Sequence, residues 1–221
     1  RRLITFAQVR ESEEIRTYIE KADESLIAMG YTEHSYAHVT KVAATARYIL
    51  LTLGYSEREA ELAQIAGFLH DIGNVVNRVD HAQSGAVMAF RILDHMDASP
   101  KDIATIITAI GNHDEGTAYA VNPVCAALIL ADKSDVRRSR VRNSDIATFD
   151  IHDRVNYSVV ESRLHINEAC TEIELRLKID TQVCSVMNYF EIFLNRMVLC
   201  RKAAQRLQLK FKLVINEQQL L

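Results

Sequence analysis

The chain has no tryptophan, and only two prolines and seven glycines in 221 residues. So few breakers exclude a Pro/Gly-rich or low-complexity chain and point to long regular elements with few linkers. Its four cysteines, Cys125, Cys170, Cys184 and Cys200, show no paired spacing and sit among apolar residues. That excludes a disulfide framework and predicts free, buried thiols in a reducing cytoplasm. No run of 18 apolar residues is present, which excludes a membrane-spanning helix of the usual length. The opening stretch RRLITFAQVR is too short and too polar for a signal peptide, and a cytoplasmic location is expected. Charge of one sign is also missing. Lys+Arg 26 against Asp+Glu 29 leaves a net charge of −3, so no basic field points to nucleic acid. What is present is 48% hydrophobic residues, enough for a packed core.

Those residues recur at helical spacing over most of the chain. Helices are predicted over about 11–29, 35–53, 56–70, 81–96, 99–111 and 122–140. Ser56 with Glu59 forms a capping box, and Ser99-Pro100 and Asn122-Pro123 open the fifth and sixth helices. Near residue 150 the pattern changes. TEIELRLKI (171–179) alternates strictly, LKFKLVI (209–215) alternates again, and 155–166 alternates less cleanly. Between them, 182–207 reads as a long helix with Val183, Val186, Met187, Phe190, Leu194, Met197 and Val198 on its inner face. The expected fold is a mainly α chain: a helical domain over 1–148, then a small α+β unit over 149–221. That unit is read as β-β-α-β, its helix covering a small antiparallel sheet and its surface available for self-association.

Six ionisable residues interrupt the apolar pattern. His38 lies on the inner face of its helix. His70 and Asp71 end the next, in GFLHDIGN. His81 starts the fourth, His113 follows the stop of the fifth, and Asp132 breaks CAALILAD. Taken singly, each has an ordinary reading: a hydrogen-bonded core histidine, or a capping or ion-paired aspartate. Six within residues 38–132 would each need separate compensation for burial, whereas one shared cation would serve them all. Mixed histidine and carboxylate sets suit first-row transition ions, and a carboxylate can bridge two.

HVTKVAATA, AGFLHDIGN and LILADKSDVR resemble the motifs of the HD superfamily of metal-dependent phosphohydrolases, whose His…His-Asp…Asp pattern maps to His38, His70, Asp71 and Asp132. DHAQSGA and IGNHDEG resemble the additional histidines of its two-metal subgroups, at His81 and His113. His34 competes with His38 as the first ligand, and the run HVTKVA favours His38. The resemblance implies a helical HD-type bundle holding one or two divalent ions, with iron or manganese favoured and zinc, nickel, cobalt or magnesium as alternatives. It also implies Asp71 as the bridging, catalytically essential carboxylate, and metal-activated water as nucleophile. Asn74 stands where related groups carry lysine, and HDEGTAYAVNP only loosely resembles the Gly-Tyr-Pro signature of cyclic-dinucleotide phosphodiesterases. ADKSD is closer to the bacterial HD hydrolases of dinucleoside tetraphosphates.

Positive charge for a phosphate is expected from DKSDVRRSRVR. If the helix continues, Lys133, Arg137 and Arg140 share one stripe and Arg138 and Arg142 another; the plain alternative is a solvated basic helix end. The expected function is hydrolysis of a phosphate ester or anhydride of a nucleotide or similar small molecule. The alternative is a regulatory module that binds such a ligand without turnover and acts through 149–221.

Overall fold

Helices α1 (Phe6–Glu11), α2 (Glu13–Ala28), α3 (Ser35–Thr52), α4 (Glu57–Leu69), α5 (His81–His95), α6 (Pro100–Gly111) and α7 (Pro123–Lys133) make up the first part of the chain, in a computed structural model that describes residues 1–31, 35–138, 141, 147 and 151–220. Between α4 and α5 lies a 3-10 turn, Ile72–Val75. The second part runs α8 (Ile151–Ser158), β1 (Val159–Ile166), β2 (Glu172–Ile179), α9 (Val186–Arg206), β3 (Lys210–Ile215) and β4 (Gln218–Gln219). His34, Arg140 and Arg142 lie outside the described residues.

Local chemistry sets the helix starts. Ser56 Oγ accepts from the Glu59 amide at 3.1 Å while Glu59 Oε2 accepts from the Ser56 amide at 3.2 Å, closing the capping box. Ser99 and Asn122 cap α6 and α7 in the same way, each with proline in the first turn. α7 is the central helix: every residue from Val124 to Lys133 is buried. α3 and α4 pack closely around Gly67, where a Cβ would lie 2.9 Å from Ala43 Cα. None of the described helices is long and apolar enough to cross a membrane. All four cysteines are unpaired.

Three expectations need correction. The sheet is mixed: β1 and β2 form an antiparallel hairpin, but β2 and β3 run parallel. A helix crossing over between two neighbouring strands returns the chain to its starting end, so the second strand must run parallel to the first. The buried face of α9 is Tyr189, Phe193, Met197, Cys200 and Ala204, while Met187 and Leu194 are exposed. Both stripes are apolar in sequence; the buried one ends in small residues, which let α9 approach its neighbours. Finally, α7 stops at Lys133 and not near residue 140. Beyond it the Asp135 carboxylate turns to His38 and Val136 is fully buried, and these tertiary contacts override the helical propensity of the basic run.

The switch from helices to sheet near residue 150 does not separate two cores. α9 packs on α7, and the buried apolar residues of both parts form one continuous cluster. The second part therefore lies against the helix that carries Asp132.

Candidate metal centre

Each of the six residues singled out by sequence comes from a different local device. His38 projects from the second turn of α3, and His70 caps the C-terminal end of α4. Asp71 follows in the turn that leads into the 3-10 segment, and His81 opens α5. His113 follows α6, and Asp132 lies in the last turn of α7. The structure brings all six into one cluster, five of them buried and Asp71 half-buried at the floor of a cleft. His38, His70, His81 and His113 are 0–3% exposed, and their rings meet edge-on in a chain with centroids 4.9–5.2 Å apart.

The hydrogen bonds fix which nitrogen faces inward. Nδ1 of His70 donates to the Gly67 carbonyl at 2.6 Å, that of His81 to Arg78 at 3.1 Å, and that of His113 to Ile110 at 2.5 Å. Nδ1 of His38 donates to the Asp135 carboxylate at 2.7 Å. With Nδ1 committed as donor, a neutral ring presents a lone pair at Nε2. All four Nε2 atoms converge on two carboxylates. Asp71 Oδ2 lies 3.6 Å from His38 and 3.3 Å from His70, and Asp71 Oδ1 lies 3.4 Å from His81 and 3.8 Å from His113. Asp132 Oδ1 lies 2.9 Å from His38 and 3.3 Å from His70. Lone pairs facing carboxylate oxygens repel unless a proton, as in the 2.9 Å contact of His38 Nε2 with Asp132, or a metal cation lies between them. His70 Nε2, fully buried, has no hydrogen-bond partner among the described residues, which a protein core rarely tolerates without a reason. The donor set therefore fits a transition metal.

Protonation states agree. Burial alone would raise the Asp71 carboxyl, but the facing imidazoles, which attract the carboxylate whenever they carry a proton, His70 first and then His113 and His81, outweigh it and hold it well below the usual range. Asp132 follows the same pattern, with Lys133 foremost against burial and His70 next. For His113, burial dominates over the opposing bond to Asp71 and pushes the imidazole down. Ionised carboxylates with a neutral imidazole are the forms that bind metal.

Sequence reasoning missed Asp135. At 2% exposure it completes a carboxylate–histidine pair behind His38, of the kind that orients metal-bound imidazoles. Its position three residues past Asp132 was the available signal, masked by the basic helix assumed there. Asp135→Asn is expected to lower metal affinity about 10–100-fold with little change in fold. Competition with a chromogenic chelator measures it, and unaltered affinity would remove Asp135 from this role.

Among the described residues of the expected basic stripe, Lys133 and Arg137 face different partners. Lys133 Nζ lies 2.9 Å from Asp132 Oδ2 and faces the cleft above the cluster. Arg137 instead pairs with Asp135, its Nε donating to Oδ1 at 2.6 Å and its Nη2 to Oδ2 at 3.3 Å, and is not among the described residues lining the cleft. Asn74 is buried; its amide nitrogen donates to the Asp71 carbonyl at 2.9 Å and its oxygen accepts from Arg78 at 3.2 Å, and Arg78 lines the cleft.

Helices that converge on a cluster of histidines and aspartates, with Nε2 turned inward, define a helical domain with a candidate metal site. Residues 35–155, more than half the chain, match the HD domain family. The chain belongs to that family, which at the superfamily level places it among metal-dependent hydrolases. A predicted HD superfamily hydrolase from an uncultured Thermotogales bacterium, known from its crystal structure, is 26% identical over 55% of this chain and 68% of that one, with a TM-score of 0.44. No curated protein matches.

Proposed function

We propose that the chain is a metal-dependent phosphohydrolase that cleaves an ester or anhydride bond of a nucleotide or similar small phosphate compound. The observation that carries this reading is the division of the Asp71 carboxylate: one oxygen faces His38 and His70, the other His81 and His113. A carboxylate so placed can serve two ions, with Asp132 completing the first set. The mix of imidazole and carboxylate favours iron or manganese, with zinc, nickel, cobalt or magnesium as alternatives. When bound, such an ion supplies Lewis acidity and lowers the pKa of water toward about 7.

The chain's own residues supply the rest. The histidine Nδ1 bonds hold the ligands in one tautomer, so no reorientation is needed during turnover. Lys133 sits beside Asp132, placed to meet a phosphoryl oxygen as charge develops on it. Arg78, anchored by Asn74, adds a second cation to the cleft, so the departure from the family's lysine does not leave this wall neutral. The cleft, about 570 Å³, has the size of a small-ligand site.

A screen of nucleotides and chromogenic phosphate mono- and diesters with added Mn²⁺ tests the reading. Turnover that is lost with chelator and restored by metal is expected. Nucleotide binding without turnover would favour the regulatory module instead. Activity and metal occupancy should both fall in acid, because protons compete for the imidazoles. Burial holds His113 below the ordinary value of about 6.5, so its contribution persists through that pH and is lost only further down. Metal retention measured by dialysis across pH 4–8 checks this; retention that fell with rising pH would contradict it.

A further inference from the structure

The cleft over the cluster has two walls. One is the HD part, with His38, Asp71, Asp132 and Lys133; the other comes from α8 and α9, with Asn156 and Arg196. Nothing in the alternation of the second part foreshadows a role at the site, and Arg196 lies beyond the residues that match the family.

Arg196 is built into this wall. Its guanidinium lies over the ring of Phe193, 4.5 Å from the centroid, and Phe193 is 1% exposed, so the stacking surface is fixed by the core. Its Nε donates to Glu115, two residues past His113. Each of these two cleft cations thus rests on an internal carboxylate: Lys133 on Asp132, Arg196 on Glu115. The two pairs differ in kind. Asp132 belongs to the His/Asp cluster, whereas Glu115, with a side chain 36% exposed, makes no ion pair with the cluster among the described residues. A phosphate presents two oxygens to the guanidinium fork and carries more charge than a carboxylate, so it competes well for Arg196.

A second observation marks this wall as a receiving surface. Asn156 on α8 is 3% exposed and lines the cleft. Its Nδ2 donates to the His152 carbonyl at 3.1 Å, while Oδ1 has no hydrogen-bond partner among the described residues. A buried amide oxygen left without a donor is rare in a finished core and common where a ligand supplies the donor.

We infer that Arg196 is a substrate-binding residue that takes an anionic group of the substrate other than the one at the metal ligands, with Glu115 as the internal anion it exchanges. The substrate class is then a phosphate compound with at least two anionic groups, such as a nucleoside diphosphate, and its remaining polar portion lies along α8 near Asn156. This rests on the phosphohydrolase reading and refines its substrate.

The test is calorimetric titration of the full-length, Mn²⁺-loaded protein with two non-hydrolysable probes, α,β-methylene adenosine diphosphate and phenylphosphonate, with metal content measured alongside. Arg196→Ala should weaken the diphosphate analogue about 10–100-fold, the range lost with a charge-assisted hydrogen bond, and leave phenylphosphonate and metal content little changed. Glu115→Gln, which keeps Arg196 and removes its competitor, should tighten the diphosphate analogue; a merely structural ion pair would lose stability without that gain. Unchanged binding of the analogue by Arg196→Ala, or equal weakening of both probes with loss of metal, would overturn the inference alone. Failure of the unsubstituted, metal-loaded protein to bind either probe would overturn the phosphohydrolase reading itself.

Discussion

Asp71→Ala is expected to reduce hydrolysis below detection and to strip metal from the cluster, while the far-UV circular dichroism stays that of a helical protein. The first effect follows from geometry. Among the described residues Asp71 is the one side chain whose two oxygens reach both histidine pairs, at 3.3–3.8 Å, so its removal damages both sets of ligands at once. An outer histidine such as His81 serves one set only, and His81→Ala should leave partial metal occupancy. The second effect follows from packing. The residues flanking Asp71, Leu69 and Ile72, are buried in the apolar core, and the turn is held by the Asn74 bond to the Asp71 carbonyl, which alanine preserves. The buried carboxylate also carries a desolvation cost that alanine removes, which offsets part of what is lost. Near-parental activity in Asp71→Ala would rule out a shared carboxylate.

Gly73→Ala should be the most damaging of the small substitutions near the site. A Cβ there would lie 2.0 Å from the His81 carbonyl oxygen, 2.6 Å from the Gly85 amide nitrogen and 2.9 Å from the His81 carbonyl carbon. All three are backbone atoms, so no rotamer change relieves the overlap. The 3-10 turn and the start of α5 must separate, and His81 moves with them, away from Asp71. Overpacking of this kind costs about 3 kcal/mol at the upper end of its usual range. For a chain of this size that lowers Tm by about 6–12 °C. Metal stoichiometry should fall along with Tm, because His81 and His113 lose their alignment on Asp71 Oδ1. Thermal unfolding with parallel elemental analysis measures both, and parental values for both would show that the two segments can part without cost.

The glycine illustrates what the sequence could and could not convey. In sequence Gly73 is an ordinary glycine just past a helix, and α4 has already ended at Leu69 with Gly73 inside the 3-10 turn. The reason for glycine, however, is the approach of α5, a long-range contact that leaves no local mark. The six residues His38, His70, Asp71, His81, His113 and Asp132 stood out in sequence because each puts an ionisable group at a helix end or on an inward face and lies in a stretch that resembles a family motif, and the structure gathers them into one cluster. Asp135 and Arg196 did not stand out, because each sits where a charged residue looks ordinary: in a basic run, and on the polar side of a long helix. The extra turns expected of α7 failed for the same reason. Local propensity favoured a helix through the arginines, but Asp135 is taken by His38 and Val136 by the core. Strand alternation in 172–179 correctly marked the buried residues Ile173, Leu175, Leu177 and Ile179. Alternation records which face is buried and not which way a neighbour runs, so the parallel pairing of β2 with β3 had to come from the crossover helix.

The central claim is that the four histidines and two aspartates hold metal. Elemental analysis of the protein purified without chelator, compared directly with Asp71→Ala, tests it. The expected result is one or two first-row transition ions per chain, with iron or manganese foremost, largely absent from the variant, and a rise in Tm when Mn²⁺ or Fe²⁺ is returned to chelator-treated protein. No bound metal in the purified chain, together with no thermal shift on adding Mn²⁺, Fe²⁺ or Zn²⁺, would contradict it.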